Sequence, residues 1–365
     1  MIITQKDILN TIYKKVIANE RITPDECLAL YRSAALPELG MMASTVRERL
    51  NGKYVYFNRN VHIEPTNICV NRCLFCSYRR DENQEGSWDL SLDEIFAIAR
   101  QYAESDITEV HIVGGVHPHH SLDFYESMVS GVRRILPNVH IKAFTAEELW
   151  RMAQQSGLPV DEVLARLKKC GLQSIPGGGA EILDDSVRAR ICPDKVGAEG
   201  WIDVHRSAHR QGIGSNATML YGHVETYEHR VEHLLRLRSL QDDTGGFNAF
   251  IPLKFCKENN PLSDLGEISA IEELRNMAIC RIFLDNILHI KAYWPMCGKA
   301  LAQLALSFGA DDMDGTIDDS TKIYAMAGAG DKAPRMTVSE LCKMARQSHF
   351  IPVERDSLYR AVKQY

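Results

Sequence analysis

Long uninterrupted hydrophobic runs are missing from this sequence. No stretch approaches the roughly 18 apolar residues that a bilayer-spanning helix requires, so a membrane protein of the helical kind is not expected. An excess of positive charge is missing too: 42 Lys and Arg stand against 48 Asp and Glu, a formal net charge of −6. Neither nucleic acid nor an anionic membrane surface is therefore expected as the main partner. The most basic stretch, 230–238, is dilute enough to read as a solvated helix face. The opening residues, MIITQKDILNTIYKK, alternate charge with apolar side chains and lack the apolar block of a secretory signal. A cytoplasmic protein is expected. Low-complexity tracts, Pro/Gly-rich linkers and internal repeats beyond a strand–helix alternation are absent as well.

Cysteine is present but not as a disulfide framework. The chain has 10 cysteines in 365 residues, and a chain of this length in a reducing compartment needs no staples. Seven are scattered singly and read as small buried hydrophobes. The other three, Cys69, Cys73 and Cys76, fall within NICVNRCLFCSYRR as C-x3-C-x2-C. No second C-x2-C exists to complete a structural zinc site in its usual form of two separated pairs. Zinc could still be completed by His62, by Cys297, or by one of the H-x3-H pairs His205/His209 and His229/His233. The other reading is an iron–sulfur cubane, which three thiolates would hold with one iron left open to a ligand. His117, His119 and His120 in GGVHPHH raise a second metal as an alternative to a loop wall.

Residues 1 to about 50 carry helical spacing. Beyond them, strand-like runs near 61–66, 108–113, 139–145, 172–176, 214–221, 247–253, 286–294 and 309–317 alternate with helical patterns near 91–104, 121–136, 146–169, part of 184–211, 226–241, 266–283, 298–307 and 336–348. Eight such units predict an α/β fold, a closed (β/α)8 TIM-type barrel. The expected organisation is an N-terminal helical addition (1–52), the barrel (53–320) with the cysteine loop at 67–80, and a C-terminal helical segment (321–365) packed on it. Active sites of such barrels lie at the carboxyl ends of the strands, and polar clusters do follow most of the expected strands.

These residues resemble the radical S-adenosylmethionine (SAM) superfamily, whose signature is C-x3-C-x2-C with an aromatic residue, here Phe75, before the last cysteine. The resemblance implies a [4Fe-4S] cluster held by Cys69, Cys73 and Cys76, with SAM chelating the open iron and yielding a 5′-deoxyadenosyl radical on reduction. It implies a low-potential electron donor such as flavodoxin or ferredoxin. Gly114 and Gly115 are similar to the motif that receives the SAM amino group, where glycine lets backbone approach closely; Val116 replaces the Glu of many members. Phe75 and Tyr78 correspond to adenine contacts, Glu181 to a ribose contact, and Asn216 joins them as a SAM-binding candidate.

Longer stretches, among them HIEPTNIC, SIPGGGAEIL, SNATMLYGHVET and HIKAYWPMCGKALAQLALSFGADDMDGTI, resemble the menaquinone (futalosine-pathway) branch. FIPLKFCKENN is similar to aminofutalosine synthases rather than to the futalosine cyclases, which carry Trp after the Pro and Gln-Pro after the Phe. The resemblance implies addition of the adenosyl radical to 3-[(1-carboxyvinyl)oxy]benzoate, aryl migration and loss of a carboxylate. A small dicarboxylate substrate calls for cationic and donor groups. The candidates for that work are Arg79, His223, Lys254, Lys291 and Tyr293, with Phe250 and Trp294 as possible apolar walls. A non-catalytic iron–sulfur electron carrier is the alternative of another class, though such carriers close the cluster with four cysteines.

Overall fold

The computed structural model describes residues 5–317, 322–328 and 335–365. Three helices come first, Gln5–Ile17, Pro24–Ser33 and Leu36–Asn51. The second starts where it does because Thr23 and Glu26 form a reciprocal capping box and Pro24 occupies the first turn, where its missing N–H is no loss.

The strands are β1 (Tyr54–Asn58), β2 (Asn60–Ile63), β3 (Glu109–Ile112), β4 (His140–Ala143), β5 (Ser174–Ile175), β6 (Gly214–Tyr221), β7 (Phe247–Lys254), β8 (His289–Ile290), β9 (Asp312–Gly315), β10 (Ile351–Arg355) and β11 (Ala361–Gln364). Strands β2 to β8 pair in chain order, every pair parallel. A parallel bridge between Lys291 and Asp312 leads from β8 to β9. Strand β9 pairs with β1, and β1 runs across Arg59 into β2. The chain thus closes a ring of β/α units, as the alternation of strands and helices predicts.

Two features depart from the sequence reading. The expected helix 146–169 is two helices, Ala146–Ser156 and Val160–Cys170, because Gly157 turns left-handed at φ 68° and Pro159 cannot continue the first helix. The expected helical segment 321–365 contains the helix Val338–Gln347 but also β10 and β11. These strands join β1 and β9 in a second sheet, ordered β11-β10-β1-β9. The physical reason is that β1 presents a free edge outside the ring, and β10 fills it in parallel from Tyr54↔Ile351 to Phe57↔Glu354.

Outer helices cover the ring with one apolar face each. In Ala146–Ser156, Leu149, Met152 and Ala153 are buried, and full burial of a side chain such as Leu149 contributes roughly 1.5–3 kcal/mol. No described helix is long and apolar enough to cross a membrane.

The interior also holds histidines without their charge. Burial pushes His140 and His209 down to about 4, and His233 down to about 3, from 6.5. They stay neutral in the folded protein at a pH where the unfolded chain protonates them. Unfolding therefore takes up protons below about pH 6.5, and each such histidine subtracts stability at about 1.4 kcal/mol per pH unit until its folded value is reached. Urea midpoints are expected to be level above about pH 7 and to fall steeply between about 6 and 4. A level midpoint through that window would contradict the assignment.

Candidate active site

The cysteine loop leaves β2 and is tied down from three sides. Within the loop, Cys69 N–H donates to Arg80 O (3.2 Å) and Arg80 N–H to Asn67 O (2.8 Å). Toward the turn after β3, Val70 N–H donates to Val116 O (2.9 Å), and Val116 N–H donates to Cys69 Sγ (3.3 Å). Toward the helix Asp185–Ile191, Leu74 N–H donates to Ile191 O (2.8 Å).

Side chains complete the frame. Glu147 accepts from Asn71 Nδ2 and from Val196 N–H, both at 2.9 Å, so one carboxylate joins the cysteine loop to the 192–197 turn. Arg79 Nε donates to Cys69 O (3.2 Å) and pairs with Asp81.

Gly114 and Gly115 are needed for a close approach, as the motif suggests, and the partner in the structure is the cysteine loop. A Cβ on Gly115 would lie 2.3 Å from Ile68 O, and one on Gly114 2.8 Å from Thr66 O. Glu148 Oε1 accepts from Gly114 N–H (3.3 Å) while Oε2 caps its own helix through Thr145. Burial pushes Glu148 up to about 7, so it is half-neutral near physiological pH.

Cys69 and Cys73 have a donor or a cation beside their sulfurs. Burial raises Cys69, opposed by the Val116 N–H on its sulfur. Burial raises Cys73 well above its ordinary value, opposed first by the Lys195 ammonium. Lys195, which sequence reading missed, bonds Glu181 Oε1 at 2.6 Å and lies 5.5 Å from the centre of the Phe75 ring. N–H donors and a cation beside sulfur stabilise thiolate and set a cluster's potential. Among the described residues, Asp89, His117 and His120 alone form a group of three ligand atoms within 4.8 Å of one another.

The Asp89 group is a hydrogen-bonded wall. The His117 and His120 rings stack at 3.9 Å with 21° between their planes, so their in-plane lone pairs do not converge on one ion. His117 Nδ1 accepts from His119 N–H (3.2 Å), which leaves Nε2 as the protonated nitrogen, 3.5 Å from Asp89 Oδ2.

Below the glycine turn, the ring opens into a cavity of about 200 Å³, lined by residues from most strands. Lys291, Tyr293, Asn216 and Gly114 are in its wall. So are four residues that the sequence reading did not select for substrate: His62, Glu109, His111 and Lys142. Their signal is a recurring pattern: VHI at 61–63 and 110–112, and HIKA at both 140–143 and 289–292. His62 pairs with His111, and His111 with Lys142, in adjacent strands, so the register delivers them to one level of the ring.

Other candidates lie elsewhere. His223 is fully engaged, with Nδ1 accepting from Val224 N–H (2.7 Å) and Nε2 donating to Leu220 O (3.0 Å); it shapes a turn. Lys254 pairs with Glu273 at 3.2 Å around a smaller neighbouring cavity that Tyr293 and Cys297 also line. Arg79 lines an outer groove with Cys69 and Arg72. Tyr78 is buried, donating to Thr66 O (3.2 Å), and its ring meets Trp88 edge-on. Phe250 is fully buried core, and Trp294 Nε1 donates to Gly315 O (3.0 Å). Their partners range from the same turn, for His223, to a separate helix, for Lys254.

The profile described as the Radical SAM superfamily matches residues 63–237, and one described as the CofH/MqnC C-terminal region matches 244–364. The chain belongs to the radical SAM superfamily, whose enzymes use a [4Fe-4S] cluster and SAM. Among curated proteins it is 42% identical over 357 residues to an aminodeoxyfutalosine synthase of Thermus thermophilus, covering 96% of this chain and 95% of that one. It is 41% identical over 321 residues to a 5-amino-6-(D-ribitylamino)uracil–L-tyrosine 4-hydroxyphenyl transferase of Archaeoglobus fulgidus (87% and 92%). A cyclic dehypoxanthine futalosine synthase of Streptomyces coelicolor is 36% identical over 360 residues (98% and 89%). The solved structure of methylornithine synthase shares the fold, with a TM-score of 0.74 at 18% identity over 94% of this chain and 97% of that one.

Proposed function

We propose that this enzyme joins the adenosyl group of SAM to 3-[(1-carboxyvinyl)oxy]benzoate, giving 6-amino-6-deoxyfutalosine, methionine and bicarbonate in a menaquinone-forming pathway. The observation that carries the reading is 42% identity along nearly the whole chain to an aminodeoxyfutalosine synthase. The cavity supports it by offering buried ammonium groups to an anionic substrate.

Cys69, Cys73 and Cys76 are proposed as the cluster ligands. When bound, the cluster and SAM supply a 5′-deoxyadenosyl radical. Every other task falls to the chain. The Gly114–Gly115 turn presents main chain at the cavity mouth, with Phe75, Glu181 and Asn216 proposed to position SAM. Lys195, hydrogen-bonded to Glu181, adds a cation beside that site. The ring of strands excludes bulk water, which protects a reactive carbon centre from stray hydrogen donors.

Mass spectrometry of an anaerobic reaction tests the proposal: reconstituted, reduced protein with SAM and 3-[(1-carboxyvinyl)oxy]benzoate is expected to yield one compound containing adenine and the benzoate unit, one carboxylate short. Free 5′-deoxyadenosine with the benzoate compound intact would refute it and favour the cyclase, the reading that the 36% identical relative supports.

A further inference from the structure

At the deep end of the cavity, Lys142 and Lys291 are more than nine-tenths buried. Each makes one short ion pair: Lys142 Nζ with Glu109 Oε2, and Lys291 Nζ with Asp314 Oδ1, both 2.6 Å. Among the described residues no other Lys or Arg lines this cavity. An ammonium carries three N–H donors, and among the described residues these pairs are the hydrogen bonds formed by either Nζ, so two donors on each remain. His111 stands between β2 and β4 with its Nε2 buried and without a hydrogen-bond partner among the described residues.

Electrostatics ties the set together. Burial would raise Glu109, yet Lys142 and Lys291 together hold it well below the ordinary carboxylate range. Burial would likewise raise Asp314, and Lys291 brings it down to about 2. Both acids are therefore ionised and cancel the two ammonium charges. A ligand here is recognised by directed donors and not by net field. Leaving buried donors unmet is unfavourable, and an acceptor with several lone pairs relieves it.

The geometry points to a carboxylate subsite formed by Lys142, Lys291 and His111, which takes the ring carboxylate of an aryl substrate. This rests on the proposed aryl enol ether reaction. Depth decides which carboxylate reaches it. Gly114, at the mouth, lies three residues beyond His111, and a strand rises about 3.3 Å per residue, so the Lys142 level is about 10 Å below. With SAM held at the glycine turn as proposed, the vinyl carbon would face the mouth. The enolpyruvyl carboxylate is attached beside that carbon and stays high, whereas the ring carboxylate is at the opposite end of the molecule.

Binding of two fragments to the SAM-loaded, reconstituted enzyme tests this by calorimetry: 3-hydroxybenzoate and its neutral isostere 3-hydroxybenzamide. The wild type is expected to prefer the carboxylate by more than about tenfold, from two or more charge-assisted hydrogen bonds. Lys142→Met combined with Glu109→Gln removes both charges of one pair, so no lone buried carboxylate remains to unfold the protein. That variant is expected to lose the preference while keeping its iron content and the far-UV circular dichroism of the folded wild type. Lys291→Met with Asp314→Asn is the second variant, with the same expectation. Equal binding of both fragments by the wild type, or a preference retained in both double variants, overturns the subsite. A wild type that shows the preference but forms no adenine–benzoate product upholds the subsite and rejects the reaction instead.

Discussion

Cys69→Ala, Cys73→Ala and Cys76→Ala are each expected to reduce the iron and sulfide retained after anaerobic reconstitution to background and to abolish SAM cleavage. The loss should be all-or-none, because a cluster with only two protein thiolates has neither the charge nor the anchoring of one held by three. The controls are specific. Cys192 is buried and close enough to affect Cys73 electrostatically, while Cys256 and Cys297 line or flank the smaller cavity. Burial raises each of the three, and none belongs to the C-x3-C-x2-C loop. Their Ser variants are expected to keep full iron content. A cluster retained without one of the triplet, or lost with Cys192→Ser, would falsify the assignment.

The cysteine loop and the ring were legible because they are written locally. Each expected barrel strand coincides with an observed one, since apolar β-branched runs bounded by turn residues mark buried parallel strands. The helix break at Gly157 and Pro159 was also visible in principle, as both residues are strong punctuation. What was hidden depends on partners far away in sequence. Strand β1, YVYFN, directly precedes β2, and pairing with β9 and β10, both from the far end of the chain, makes the two members of different sheets. Lys142 finds its counter-ion in Glu109, 33 positions earlier, which local pattern does not show. His223, a donor candidate for the substrate by residue type, has both nitrogens bound to backbone of its own turn. Spacing identifies a ligand motif, but it does not say whether a polar side chain is already satisfied.

The C-terminal strands also act on the cavity, and Arg355→Met should show it. Arg355 Nε donates to Asp312 Oδ2 at 2.6 Å, with 1% and 0% of the two side chains exposed. The guanidinium also lies 4.1 Å from the centre of the Tyr359 ring, which stacks on His289 at 3.7 Å. Asp312 passes the constraint inward: its Oδ1 accepts from Asp314 N–H (2.5 Å), which helps hold Asp314 at φ 63°, a conformation unfavourable for a side chain other than glycine. Asp314 in turn holds Lys291. Removing Arg355 leaves the Asp312 carboxylate buried without its cation, a loss of about 3–5 kcal/mol in unfolding free energy. Arg355→Met with Asp312→Asn removes both charges and is expected to recover most of that loss in urea titrations. If Arg355→Met alone unfolds at the wild-type midpoint, the pair contributes nothing and β10 is held by its ladder with β1. In the double variant, the Asp314 turn keeps an amide acceptor in place of the carboxylate, so 3-hydroxybenzoate binding should survive there and weaken in Arg355→Met. That split separates the pair's effect on the cavity from its effect on overall stability.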